Sequence, residues 1–181
     1  MIKSNVIKRK AIRVFFAILP YWQVQKQLMR NIEILEPICR GRKIKMQHLH
    51  LTLLFLGDVP TNQIHALRQI AKTISADKFE FKLDTIGYWR HNHIIYIQAR
   101  NFPTELFSLA DSLKIALSKD GFVFDNRAYK PHITLFRKAF QFVNTDLIKP
   151  IQWYVDQWFL IQSKPTNNGV EYIPLGHWNL N

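Results

Sequence analysis

The chain has 181 residues, 48% of them hydrophobic and 13% aromatic, with 25 Lys plus Arg against 13 Asp plus Glu. That length suits one domain with a sizeable core, and the composition excludes a disordered or low-complexity chain. The formal net charge of +12 favours polyanionic partners such as RNA, DNA or an anionic surface.

Residues 1–10 read as a basic lead-in. Lys3, Lys8, Arg9, Lys10 and Arg13 precede the apolar run Val14–Leu19, which ends at Pro20. A secretory core needs about 7–15 apolar residues and a spanning helix about 20, so the run reads as a strand, Ile12–Leu19, and no membrane segment is expected. Trp22–Leu35 carries Val24, Leu28, Ile32 and Leu35 at helical spacing, and Pro37 and Gly41 close that helix. Lys43–Leu56 is extended and holds His48, His50 and Thr52. Gly57-Asp58 marks a turn, and Pro60 opens a second helix with Ile64, Leu67, Ala71 and Ile74 on one face. Phe79, Phe81 and Leu83 alternate with Glu80, Lys82 and Asp84, the pattern of a strand with one buried face.

Ile94–Ala99 starts the second half as a strand. A helix follows Pro103, with Leu106, Leu109, Leu113 and Leu117, and stops at Gly121. Lys130–Phe136 is a strand holding His132 and Thr134. Trp153–Gln162 and Val170–Pro174 read as a final strand pair, with Asn167-Asn168-Gly169 as the turn between them. Trp153, Trp158 and Trp178 are expected in the core. The single cysteine, Cys39, can form no internal disulfide; it fits a reducing cytoplasm and reads as a small core or surface residue.

Each half runs strand, helix, histidine strand. His50 follows Ile12 by 38 positions, and His132 follows Ile94 by the same 38. The expected fold is α+β, a single domain over 1–181. Two pseudo-twofold-related lobes of antiparallel sheet plus helices, roughly 11–86 and 93–178, would face each other across a central cleft.

The repeated motifs are His50-Leu51-Thr52-Leu53 and His132-Ile133-Thr134-Leu135. In a strand, side chains alternate faces, so each His and Thr point one way and their apolar neighbours the other. Opening a cyclic phosphodiester with water needs a base for the water proton and an acid for the departing ribose oxygen. Two imidazoles with ordinary pKa near 6.5 can supply both near neutral pH. Attack and departure are roughly in line, so the two must flank phosphorus, and the threonine hydroxyls can donate to its non-bridging oxygens. This scheme requires neither metal nor cofactor.

These motifs resemble those of the 2H phosphoesterase superfamily, and most closely its bacterial and archaeal RNA 2′,3′-cyclic phosphodiesterases, historically called 2′-5′ RNA ligases. The similar segments are Arg13-Val14-Phe15-Phe16-Ala17-Ile18, His48 to Leu53 with Phe55-Leu56-Gly57, and Pro131 to Arg137. The resemblance implies two lobes around a V-shaped cleft and hydrolysis of the cyclic phosphate to a 2′-phosphomonoester. It implies His50 as proton donor, His132 as proton acceptor, and Thr52, Thr134 and Arg137 as phosphate ligands. Simple alternation puts Arg137 on the face opposite His132, so a bulge or strand end is expected there. The substrate implied is RNA with a 2′,3′-cyclic phosphate end, tRNA fragments or other nucleotides included, and a monomer is the default. Where the family usually shows an aromatic, proline and basic cluster, this chain has Gly87 to His93 without proline; where relatives often have arginine, it has Lys130.

His48, Lys130, Trp89 and Arg90 are candidate RNA contacts, since mixed aromatic and basic residues suit unpaired bases. Lys8, Arg9, Lys10, Arg40, Arg42, Lys43 and Lys45 suggest a basic rim. The pairs His48/His50 and His91/His93 have a spacing that can chelate zinc, without cysteines or a clear third ligand, so no metal site is expected. Two other functions compete: 2′-5′ ligation at the same site, and RNA binding without catalysis.

Overall fold

The apolar run behind the basic lead-in becomes β1 (Ala11–Ile18), buried on both faces from Val14 onward, in a computed structural model that describes residues 10–125, 127–140, 145–167 and 169–181. Lys3, Lys8 and Arg9 of the lead-in, and Asn168 of the expected turn, lie outside the described residues. The other strands are β2 (Arg42–Lys43), β3 (Leu51–Pro60), β4 (Phe79–Trp89), β5 (Ile94–Gln98), β6 (Ile133–Arg137), β7 (Thr145–Val155), β8 (Gln157–Thr166) and β9 (Gly169–Asn179). All join one antiparallel sheet in the order β7-β4-β5-β6-β3-β1-β8-β9, with β2 paired to β6.

The middle of that order is the seam between β6 and β3, the two histidine-motif strands. Leu51 opposite Ile133 is the one position paired across it among the described residues. β5 and β1 flank the seam, one on each side. The halves of the sheet do not coincide with the segments 11–86 and 93–178. β4 pairs with β5 and β7, whereas β8 and β9 build outward from β1. Each half is therefore woven from both segments.

Among the described residues, three α-helices cover the sheet. In α1 (Trp22–Cys39), Val24, Leu28, Ile32, Leu35 and Cys39 form the buried stripe. The helix runs through Pro37, where the sequence suggested an end. Proline costs about 3 kcal/mol in a helix interior, because it lacks an N–H and crowds the carbonyl four residues back. Here only Ile38 and Cys39 lie beyond it. Arg40 then ends the helix in the left-handed region (φ 44°), and the amide of Phe140 donates to the Cys39 carbonyl at 3.2 Å. α2 (Ile64–Lys72) and α3 (Thr104–Lys119) pack on each other; Pro103 precedes the first turn of α3, where its fixed φ suits entry into a helix. α1 lies against β6 and β7, and α3 against β3, so these two helices each cover the half that their preceding strand does not occupy. One apolar cluster, including Phe16, Leu113, Phe136, Trp153 and Trp158, runs through both halves. Trp178 packs against it half-buried, and Cys39 is wholly inside it. Among the described residues, no helix is long and apolar enough to cross a membrane.

Four further elements differ from the sequence reading. The expected turn at Gly57-Asp58 is inside β3, where the register against β1 jumps from Gly57 to Phe55. Gly57 has φ 76°, which glycine adopts freely, and the strand bulges there instead of turning. The Lys43–Leu56 stretch is interrupted by a short 3-10 turn, Met46–His48, and the Lys130–Phe136 strand begins only at Ile133. The expected strand Trp153–Gln162 breaks at Asp156 into β7 and β8, which lie at opposite sides of the sheet.

Candidate active site

Both motif histidines sit just before their strands and are held the same way. The imidazole of His50 bonds through Nδ1 to the His48 carbonyl at 2.7 Å, and His132 through Nδ1 to the Lys130 carbonyl at 2.7 Å. A carbonyl only accepts, so each Nδ1 carries the proton. In the neutral ring, Nε2 is then the free lone pair. The two rings are thus prepared identically, with Nε2 able to take a proton when neutral and to give one when charged.

The pairing of Leu51 with Ile133 sets the rest. Continued by one residue each way in an antiparallel pair, it brings His50 opposite Thr134 and Thr52 opposite His132. Leu51, Leu53, Ile133 and Leu135 are buried towards the helices, and both threonines are half-buried on the other face. Two cavities open there, and each takes the histidine of one motif and the threonine of the other. The larger, about 840 Å³, is lined by Thr52, Phe55, Trp89, Tyr129, Lys130 and His132 among others. The smaller, about 250 Å³, includes Arg42, Lys45, His48, His50, Thr134 and Arg137.

Arg137 reaches the cleft because β6 bulges. Ile95 pairs with Phe136 and Tyr96 with Thr134, leaving Leu135 as the extra residue. Leu135 and Phe136 are both fully buried, and alternation restarts with Arg137 outward, as the expected bulge requires. β3 does the same: Phe16 pairs with Leu54 and Ala17 with Thr52, Leu53 and Leu54 are both buried, and Phe55 emerges 43% exposed. Phe55 and Arg137 therefore hold equivalent places, an aromatic ring beside one histidine and a guanidinium beside the other. In the sequence Phe55 stood only in the flank of the first motif, with no role assigned. Its signal was the five-residue step from His50, which matches the step from His132 to Arg137.

Aromatic rings wall in both imidazoles. Phe15 lies 5.0 Å from His50 and Tyr172 of β9 is edge-on at 5.4 Å; Trp89 is edge-on to His132 at 4.5 Å with Tyr96 at 5.8 Å. Tyr129 donates its hydroxyl to the Thr52 carbonyl at 3.0 Å and so fixes β3 at the cleft. Tyr172, Tyr96 and Tyr129 were also missed, since their roles depend on long-range pairing. Burial pushes His50 down to about 4; its bond to the His48 carbonyl opposes this, and the charges of His132, Arg137 and His48 add to it. His132 is lowered by burial first, with the Lys130 carbonyl opposing and Arg137 adding. Both rings are therefore neutral in the free protein at neutral pH. An anion between them would raise both.

The remaining candidates divide. His48 lines the smaller cavity with its ring 4.7 Å from Tyr172, and burial and Lys45 lower its pKa. Lys130 and Trp89 line the larger cavity. Arg90 is exposed in the turn after β4 and lines neither. His93 is turned away, its Nδ1 bonded with the Tyr88 hydroxyl at 2.9 Å. Among the described residues, no three His, Cys, Asp or Glu side chains converge as a metal site.

Comparison with known proteins bears on the same residues. Residues 20–96 match the family described as LigT like Phosphoesterase. The RNA 2′,3′-cyclic phosphodiesterase of Escherichia coli is 32% identical over 93% of this chain and 96% of its own length. The protein of that name from Thermotoga maritima is 27% identical over 89% of this chain and 91% of its own. The crystal structure of E. coli LigT in complex with 3′-AMP superposes with a TM-score of 0.84, at 31% identity, over 94% of this chain and 99% of that one.

Proposed function

Because the chain belongs to the LigT-like phosphoesterases of the 2H superfamily, we propose that it hydrolyses the terminal 2′,3′-cyclic phosphate of RNA to a 2′-phosphomonoester. The observation that carries this reading is the paired preparation of His50 and His132. Two imidazoles, each with Nδ1 fixed by a carbonyl two residues back, leave Nε2 free where the two cavities open, His132 in the larger and His50 with Arg137 in the smaller.

The cyclic phosphate sits between the two rings, with its non-bridging oxygens on the Thr52 and Thr134 hydroxyls and the Arg137 guanidinium. Its negative charge raises the pKa of both histidines and lets His50 hold a proton at Nε2. A water molecule attacks phosphorus from the His132 side, and His132 Nε2 takes its proton as the new P–O bond forms. The P–O3′ bond breaks in line, and His50 Nε2 gives its proton to O3′. Solvent then exchanges protons with both rings and restores the starting state. Thr and Arg donors act where charge builds on the phosphoryl oxygens, in a cleft partly closed to water. Phe55, Trp89 and Tyr129 offer aromatic faces for the nucleobase, each stack contributing about 1–3 kcal/mol. This reading takes the whole chain as one working domain and the enzyme as a cytoplasmic monomer. No step calls on a metal.

Replacing either histidine tests it. His50→Ala and His132→Ala should each slow hydrolysis by about 10²–10⁴-fold while RNA binding persists. If both variants cleaved at wild-type rate, the acid–base roles would be wrong.

A further inference from the structure

We propose that the smaller cavity is a subsite for the phosphodiester on the 5′ side of the terminal nucleotide, held by Arg42 and Lys45. The proposal rests on the hydrolase reading and on His50 as the donor to O3′.

Stereochemistry and cavity chemistry lead to it separately. In a nucleoside 2′,3′-cyclic phosphate the base is attached at C1′, next to C2′. The chain continues from C4′, next to C3′. In-line cleavage with O3′ leaving towards His50 turns C3′, C4′ and C5′ to the His50 side. The C2′–C1′ edge and the base then turn to the His132 side. The cavity on the His132 side carries the aromatic faces of Phe55, Trp89 and Tyr129, and of its cations Lys130, Lys114 and Arg127 the last two are paired with Asp111 and Asp125. The cavity on the His50 side is basic: Arg42, Lys43, Lys45 and Arg137 line it, without a carboxylate. A base stacks in the first kind of cavity and a phosphate is held in the second.

Two of the four cations are committed. Lys43 pairs with Glu36 at 3.0 Å, and Arg137 is taken by the reacting phosphate. Arg42 and Lys45 show no ion pair among the described residues and lie exposed at the cavity rim. Glu171, on the adjoining rim, is paired with Lys164 at 3.6 Å. Register anchors the site as well: Arg42 lies opposite Arg137 in the β2–β6 pair, so the two guanidiniums belong to neighbouring strands of one rim. A second depression shares Lys45, His48 and Tyr172 with this cavity and continues past Gln47, a path for the strand beyond that phosphate.

The test compares two substrates. One is adenosine 2′,3′-cyclic phosphate with a free 5′ hydroxyl, which has no upstream phosphate. The other is the dinucleotide ApA with a 2′,3′-cyclic phosphate end, which has one. The wild-type protein should favour the dinucleotide by about tenfold in kcat/KM, the scale of one charge-assisted contact. The Arg42→Ala/Lys45→Ala variant should bring that ratio close to one, and Arg42→Lys/Lys45→Arg should restore most of it. The proposal is overturned if the wild-type ratio is already near one, if the double variant keeps it, or if Lys114→Ala/Arg127→Ala on the aromatic side abolishes it instead. If neither substrate is cleaved by the wild-type protein, the hydrolase reading fails first, and the subsite with it.

Discussion

Gly87→Ala is a small change with a large expected effect. Gly87 on β4 pairs with Tyr96 on β5, and the Tyr96 ring folds across the glycine. A Cβ at residue 87 would stand 2.3 Å from Tyr96 Cζ, 2.4 Å from its hydroxyl oxygen and 2.8 Å from Cε2. Ordinary contact begins near 3.4 Å, so the ring must retreat by about 1 Å. It has little room to do so. Tyr96 is 9% exposed, accepts the indole N–H of Trp89, and lies 4.3 Å from that ring, which in turn abuts His132 at 4.5 Å. Forced overpacking of this kind costs about 1–3 kcal/mol. In a strand with open space, Gly→Ala would instead stabilise by roughly 0.5–1 kcal/mol, so the sign itself is diagnostic. For a chain of this size the cost lowers Tm by about 2–12 °C. The displaced Trp89 should also tilt His132 and reduce kcat by about tenfold, because misplacement near 1 Å is costly in a preset site. Thermal melts and steady-state hydrolysis would be measured for Gly87→Ala, Tyr96→Leu and the double variant. The smaller ring-free side chain should recover most of the stability lost to the alanine, a clear departure from additivity. A Gly87→Ala protein as stable and active as wild type would refute the packing chain from residue 87 to His132.

Other outcomes follow from the same geometry. Both histidines have folded pKa values below 6.5, so the singly protonated pair becomes scarcer as pH rises above that range; kcat/KM should peak on the acid side and fall about tenfold per pH unit well above 6.5. Removing the Arg137 charge should move the surviving profile to higher pH, whereas an unshifted profile would place the guanidinium away from both rings. Stability carries the opposite sign: the folded chain binds fewer protons than the unfolded one between about 4 and 6.5, so Tm should fall as pH drops through that window. His50→Gln should flatten part of that slope. Tyr129→Phe loses the bond to the Thr52 carbonyl and should lower stability by about 1 kcal/mol, read as a drop in denaturant midpoint at constant m.

What could be read from the chain divides by range. Local patterns were legible: the stripe Val24, Leu28, Ile32, Leu35 became α1, and His-x-Thr alternation placed both threonines on the cleft face. The partner of each strand was not legible, since nothing in the alternating β4 or in the apolar run Trp158–Ile161 of β8 says which half it joins. Register irregularities were hidden for the same reason. The bulge at Leu135 turns Arg137 to the cleft, and it shows only against β5. The matching bulge at Leu53 brings out Phe55. The break at Asp156 separates two apolar stretches that read as one strand until their partners, β4 and β1, are known. Tyr172, more than a hundred residues from His50, enters the site through the β8–β9 pairing alone.

The central claim is a metal-independent, two-histidine opening of a cyclic phosphate. It is tested most directly by incubating the purified protein in excess EDTA with a short RNA ending in a 2′,3′-cyclic phosphate and identifying the new terminus. Conversion to a 2′-phosphate is the expected result. An unchanged end, a 3′-phosphate, or hydrolysis that starts only when zinc is added would contradict it.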